Sequence, residues 1–147
     1  VAVIIFITHI ATLSLLVLAS IWFILNHGLD VFHVNWETPI AFGSLKTALF
    51  LGFSAAMLGI SGFESSANFV EEQQTGVFPK TLRNMWALVS FFNPVIAILL
   101  ISIIPLAQVG ENKESLLAHL GETTGGSWLA WLISVDAVLV FKQERRA

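Results

Sequence analysis

The sequence predicts an all-α integral membrane protein with four transmembrane helices. Three observations predict it. Mean hydropathy is +0.81 and 56% of the 147 residues are hydrophobic. Only 12% are charged, against about 25% in soluble domains. The apolar residues also gather into long blocks, most of a length that crosses a hydrocarbon core of about 30 Å as helices. Helices satisfy their own backbone hydrogen bonds where no water is present.

The first span covers about residues 2–25. Val, Ile and Leu dominate it, and Trp22-Phe23 supplies an aromatic belt near its end. Thr8, His9, Thr12 and Ser14 lie inside. Thr8 and Thr12 are one turn apart and share a face expected to point into a bundle. Hydroxyls at such positions are expected to bond back to the carbonyl of the preceding turn. His9 reads as a packed, hydrogen-bonded histidine, with a proton relay as the alternative.

Residues 26–46 form a polar connection containing His27, Asp30, His33, Glu37 and Pro39. Val31-Phe32-His33-Val34-Asn35-Trp36 alternates, which predicts a short extended or interfacial piece. The spacing of His27 and His33 matches no common metal site, and no metal is expected.

The second span, about 47–70, is interrupted at Met57-Leu58-Gly59-Ile60-Ser61-Gly62-Phe63-Glu64. Two glycines three apart, a serine and a carboxyl stand in its middle. A mid-membrane break survives only where protein or a water-filled cavity covers it. A carboxyl at that depth is a functional candidate, and a Gly-interrupted span points to a transporter binding site. The alternative is that Gly59 and Gly62 let a neighbouring helix approach closely, with Glu64 in a structural hydrogen bond. Spacing alone leaves both open.

Residues 71–84 form a short connection with Glu71, Glu72, Gly76, Pro79, Lys80 and Arg83. The third span runs over about 85–107, with a kink predicted at Asn93-Pro94 and an end at Pro105. Residues 110–127 are polar, but Leu116, Leu117 and Leu120 have helical spacing, which predicts a short amphipathic helix on the outer face. The fourth span, about 128–141, reaches only about 21 Å as a helix. It is therefore expected to be cut short or to have its end replaced. Asp136 lies about 12 Å into it by helical rise. Such an acid faces the bundle interior, where it binds a cation or proton or pairs with a neighbouring helix.

Orientation follows the basic residues. Lys80, Arg83, Lys142, Arg145 and Arg146 fall on one side, and Lys46 and Lys113 on the other. The first side is expected to be cytoplasmic, with both termini on it. The net charge of -3 gives no reason to expect nucleic acid, and the absence of Cys excludes disulfides and thiolate metal sites. No nucleophile elbow, P-loop or dinucleotide fingerprint is present, so no catalytic residue and no enzyme is expected. The chain opens on Val1 inside an apolar run and is expected to be a piece of something longer.

Gly62-Phe63-Glu64, followed by Glu71-Glu72 and Pro79-Lys80-Thr81-Leu82-Arg83-Asn84, resembles the sixth helix and following loop of the amino acid-polyamine-organocation (APC) superfamily. By that resemblance the whole chain is a partial transporter domain, and its four spans are helices five to eight of a LeuT-type inverted-repeat bundle with a broken second helix. The implied function is secondary transport of amino acids or related amines in a plasma or inner membrane. The driving ion is H+ or Na+, and no other cofactor is implied. Substrate would sit at Gly59, Ile60, Ser61, Gly62 and Phe63. Glu64 would steady the break or couple it to protonation, and Asp136 is a second coupling or structural acid. Implied partners are the lipid bilayer, the substrate and the remaining helices of the transporter. The first span has no Lys of the kind that replaces sodium in proton-coupled members. A truncated, non-transporting membrane domain that packs with partner helices is the alternative.

Overall fold

A computed structural model describes residues 2–39, 43–58 and 76–144. Every regular element among the described residues is helical, as the all-α class requires. The helices are α1 (Ala2–His27), α2 (Asp30–Glu37), α3 (Leu45–Leu58), α4 (Val77–Ile103), α5 (Leu106–Glu111), α6 (Leu116–Gly125) and α7 (Ser127–Glu144), with a 3-10 turn at Lys113–Ser115. The chain divides into two compact units, Val1–Glu37 with Pro94–Ala147, and Thr38–Asn93.

In the first unit, α1 is free of Gly and Pro along its length, so nothing interrupts its ladder. Gly28 ends it at φ +82, with its N–H donating to the Ile24 carbonyl at 2.8 Å. Only a residue without Cβ takes that left-handed geometry cheaply. Thr8 and Ser14 bond back to the carbonyls of Ile5 and Ile10, as expected. The inward face differs from the expected one. Thr12, Leu16 and Ser20 are buried while Thr8 is exposed.

The alternating stretch at 31–36 is a helix, so its extended reading is overturned. Asp30 sits in the first turn, where a negative charge meets the positive end of the helix dipole. Phe32 and Trp36, four apart, stack with centroids at 5.9 Å. On the same short helix, Asn35 donates to the carbonyls of Ile101 at 2.8 Å and Ile104 at 2.9 Å, and accepts from the Leu106 N–H at 3.0 Å. The cause is Pro105. Without an N–H it cannot serve the Ile101 carbonyl, and the side chain of Asn35 takes its place.

Helix α6 is the expected amphipathic helix, but it does more than lie on an outer face. Its Leu120 is fully buried, and α6 packs against both α1 and α7. Gly126, at φ +85, turns the chain from α6 into α7. The two helices approach so closely that a Cβ on Gly121 would stand 2.5 Å from Ile133 Cδ1. Leu16, Ile103, Ile104, Leu120, Leu129 and Ile133 form the core of this unit. Helix α7 runs to Glu144 rather than stopping at Phe141, and its length is about 27 Å. Its apolar stretch, Ser127–Val140, remains the shorter part.

In the second unit, Ser44 Oγ accepts the Thr47 N–H at 3.2 Å and caps α3, which opens at Leu45. Residues 59–70, the rest of the predicted second span, lie outside the described residues. Helix α4 begins at Val77, eight residues before the predicted start, and ends at Ile103, four before the predicted end. Its polar first turns satisfy the helical ladder although their side chains are hydrophilic. Pro94 lies inside a continuous helix, and the division between the two units falls at the Asn93-Pro94 bond. Among the described residues two helices are long and apolar enough to cross a membrane, Ile4–His27 of α1 and Val77–Ile103, the whole of α4.

Candidate functional site

Helices α1 and α7 pack side by side, and each carries one ionisable residue toward the other. His9 Nδ1 and Asp136 Oδ2 stand 2.6 Å apart. The helices run in opposite directions through this contact. Two turns along α1 from His9 lies Leu16, and two turns back along α7 from Asp136 lies Leu129, and both are fully buried in the core. The apolar stripe thus sets the register that brings imidazole and carboxylate together.

Asp136 is almost entirely enclosed, at 8% side-chain exposure, whereas His9 keeps 36%. Asp136 Oδ1 is buried and has no hydrogen-bond partner among the described residues. An ionised carboxylate in that position would normally fill both oxygens, because an unmet buried acceptor costs about 1–3 kcal/mol. His9 Nε2 likewise makes no hydrogen bond among the described residues. The site therefore has one short bond, one unused carboxylate oxygen and one unused ring nitrogen. Ser134, two residues before Asp136, has its Oγ bonded to the Ala130 carbonyl at 2.8 Å.

Of the predicted site residues, Asp136 is where an inward-facing acid was expected, paired with a neighbouring helix. Gly59, Ile60, Ser61, Gly62, Phe63 and Glu64 lie outside the described residues. His9, read from sequence as a packed histidine, is hydrogen-bonded as expected and belongs to the site as well. The signal that identifies it is depth. His9 and Asp136 are the ionisable groups of the first and last apolar segments, and antiparallel packing puts them at one level.

The family model described as amino acid permease matches residues 1–141. The chain belongs to the amino acid permease family. No curated protein and no solved structure matches it. Membership of that family supports a membrane protein of the amino acid transporter class, and the apolar faces of the permease's long helices agree. Ile4, Leu18, Trp22 and Leu25 of α1 are exposed, as are Trp86, Phe91 and Ile98 of α4. Patches of that kind are rare on soluble monomers.

Proposed function

We propose that the permease is part of a secondary active transporter for amino acids or related amines, driven by a proton or sodium gradient, with substrate held at a helix break near 59–63. The family match over residues 1–141 carries this reading. In it, α1, the helix opened by α3, α4 and α7 are four membrane spans that correspond to helices five to eight of a LeuT-type bundle.

The chemistry follows from the break. Gly59 and Gly62 each lower helix propensity by about 1 kcal/mol relative to Ala. Unwound carbonyls there face the substrate ammonium, and a half-helix N-terminus faces its carboxylate. Glu64 braces the break or couples it to protonation. Asp136, already paired with His9, is the second ionisable group available to respond to the driving ion.

The test is uptake of labelled amino acids by proteoliposomes carrying the protein expressed from its natural reading frame. Saturable uptake that responds to an imposed pH or sodium gradient is the expected result. No uptake under either gradient would favour a membrane domain that packs with partner helices and carries nothing.

A further inference from the structure

We propose that the short helix α2 lies at the membrane surface and docks zwitterionic phospholipids. Phe32 and Trp36 face their acyl chains, and Asp30 and Glu37 face their ammonium groups. The inference goes beyond the transport reading and needs only that α1 and α4 cross the membrane.

Two helices set the level of α2. Helix α1 is long and apolar enough to cross a membrane and ends at His27, and Gly28 at φ +82 turns the chain into α2. Asn35 of α2 is bonded to the carbonyls of Ile101 and Ile104, where α4 ends. A helix tied to the ends of two membrane spans sits where hydrocarbon gives way to headgroups. The apolar surface is continuous up to it. Leu18, Trp22 and Leu25 are exposed on one face of α1, four and three apart, and exposed Leu29 carries that surface to the start of α2.

The residues of α2 sort into sides at about 100° per residue. Asn35 faces the protein through its hydrogen bonds, and Val31, one turn before it, is half-buried. Asp30, His33 and Glu37 are exposed and fall within about 60° of one another. Phe32 and Trp36 lie between these two sides and stack with centroids at 5.9 Å. Trp36 is 78% exposed. An indole left that open suits the membrane boundary, where its ring meets hydrocarbon and its N–H meets water.

Charge selects the headgroup. Helices that lie on anionic membranes carry Lys and Arg on the polar side. Helix α2 has neither, and among the described residues its two carboxylates are in no ion pair. An anionic surface repels them. The ammonium of a zwitterionic headgroup meets them instead, beside an aromatic pair that also attracts cations.

The experiment is quenching of Trp36 fluorescence in the full chain with every other Trp replaced by Phe. The protein is reconstituted in equimolar phosphatidylcholine and phosphatidylglycerol, with bromine on the acyl chains of one lipid at a time. Quenching is expected to be stronger by about twofold or more when phosphatidylcholine carries the bromine. The preference is expected to vanish when Asp30→Asn and Glu37→Gln are added, and a preference that persists overturns the assignment. Equal quenching by the two lipids in the unaltered helix overturns it as well. Quenching by acrylamide with none by brominated lipid puts Trp36 in water and overturns the proposal. No quenching by lipid or acrylamide shows that protein covers this face and overturns it too. If the multiply substituted protein fails to insert, a nitroxide on Trp36→Cys with the other Trp residues retained decides. Its collisions with oxygen must exceed those with a water-soluble nickel complex, and a nickel excess overturns the proposal. Amino acid uptake enters neither readout, so failure of the transport reading is seen separately.

Discussion

His9 of α1 and Asp136 of α7 meet at 2.6 Å across 127 residues of sequence. Two buried leucines, Leu16 and Leu129, fix the level at which they meet. Packing and chemistry are therefore linked in one pair of helices. A slip along the α1–α7 stripe would separate the ionisable groups and leave Asp136 enclosed with neither oxygen bonded.

The first prediction concerns that pair. A double-mutant cycle with His9→Leu and Asp136→Leu should give a coupling energy of about 0.6–1.7 kcal/mol, from the average to the maximum for polar contacts between membrane helices. His9→Leu alone should destabilise more than the double variant, because it strands a buried carboxylate. Unfolding by a denaturing detergent measures both. Additive single effects would show that the pair does not form.

Asn35 yields the second. Its side chain replaces the N–H that Pro105 lacks and holds three backbone groups where α4 gives way to α5. Asn35→Ala should cost about 0.5–1.5 kcal/mol, the net worth of a typical intramolecular hydrogen bond, since these contacts are exposed or part-buried. Hydrogen exchange at the Leu106 amide is the direct readout. It should speed up by up to about tenfold, with 1.4 kcal/mol corresponding to one tenfold step. Asn35→Asp, which keeps the acceptor and loses both donors, should protect Leu106 partly. Unchanged exchange in the Ala variant would remove Asn35 from this role.

Much of this architecture is legible in the sequence, and the parts that are not share a cause. Hydropathy marks which residues suit lipid, whereas helix ends are set by hydrogen bonds. Hence α1 is read almost to its end, while α4 starts at Val77, under Lys80, Thr81 and Arg83, which look like a loop. The same holds for α7, whose ladder continues past Phe141. The alternation at 31–36 looks extended because six residues are too few to separate a period of two from an amphipathic turn. Asp136 is legible as an inward-facing acid, but its partner is not, because nothing local to either residue encodes a contact 127 positions away. The glycine-interrupted stretch from Gly59 to Glu64 lies outside the described residues.

The close α6–α7 contact makes a third prediction. A Cβ at Gly121 would meet Ile133 Cδ1 at 2.5 Å and Leu129 Cγ at 3.4 Å. Gly121→Ala should destabilise by about 1–3 kcal/mol through overpacking. Adding Ile133→Val, which removes the nearest methyl, should recover part of the loss. Thermal unfolding of the single and double variants tests this, and a stabilising Gly121→Ala would contradict the packing described.

Orientation is the fourth. From the distribution of Lys and Arg, residues 71–84 are expected in the cytoplasm and residues 110–127 outside. The protein has no Cys, so single cysteines can be introduced without background. Cysteine at Glu114, which is exposed in its 3-10 turn, should react with an impermeant thiol reagent on intact cells. Cysteine at Thr75 should react only after permeabilisation. The reverse pattern would invert the topology.

The central claim is that substrate is held where the second span breaks, and one measurement bears on it most directly. It is amino acid binding to full-length Gly62→Ala protein, compared with wild type at matched membrane insertion. Breaking a helix in lipid strands backbone groups at several kcal/mol each, so the break persists only if partners and substrate use it. The account predicts that Gly62→Ala inserts normally and loses substrate binding. Wild-type binding and transport by Gly62→Ala would contradict it, and would leave Gly59 and Gly62 as a face on which another helix packs.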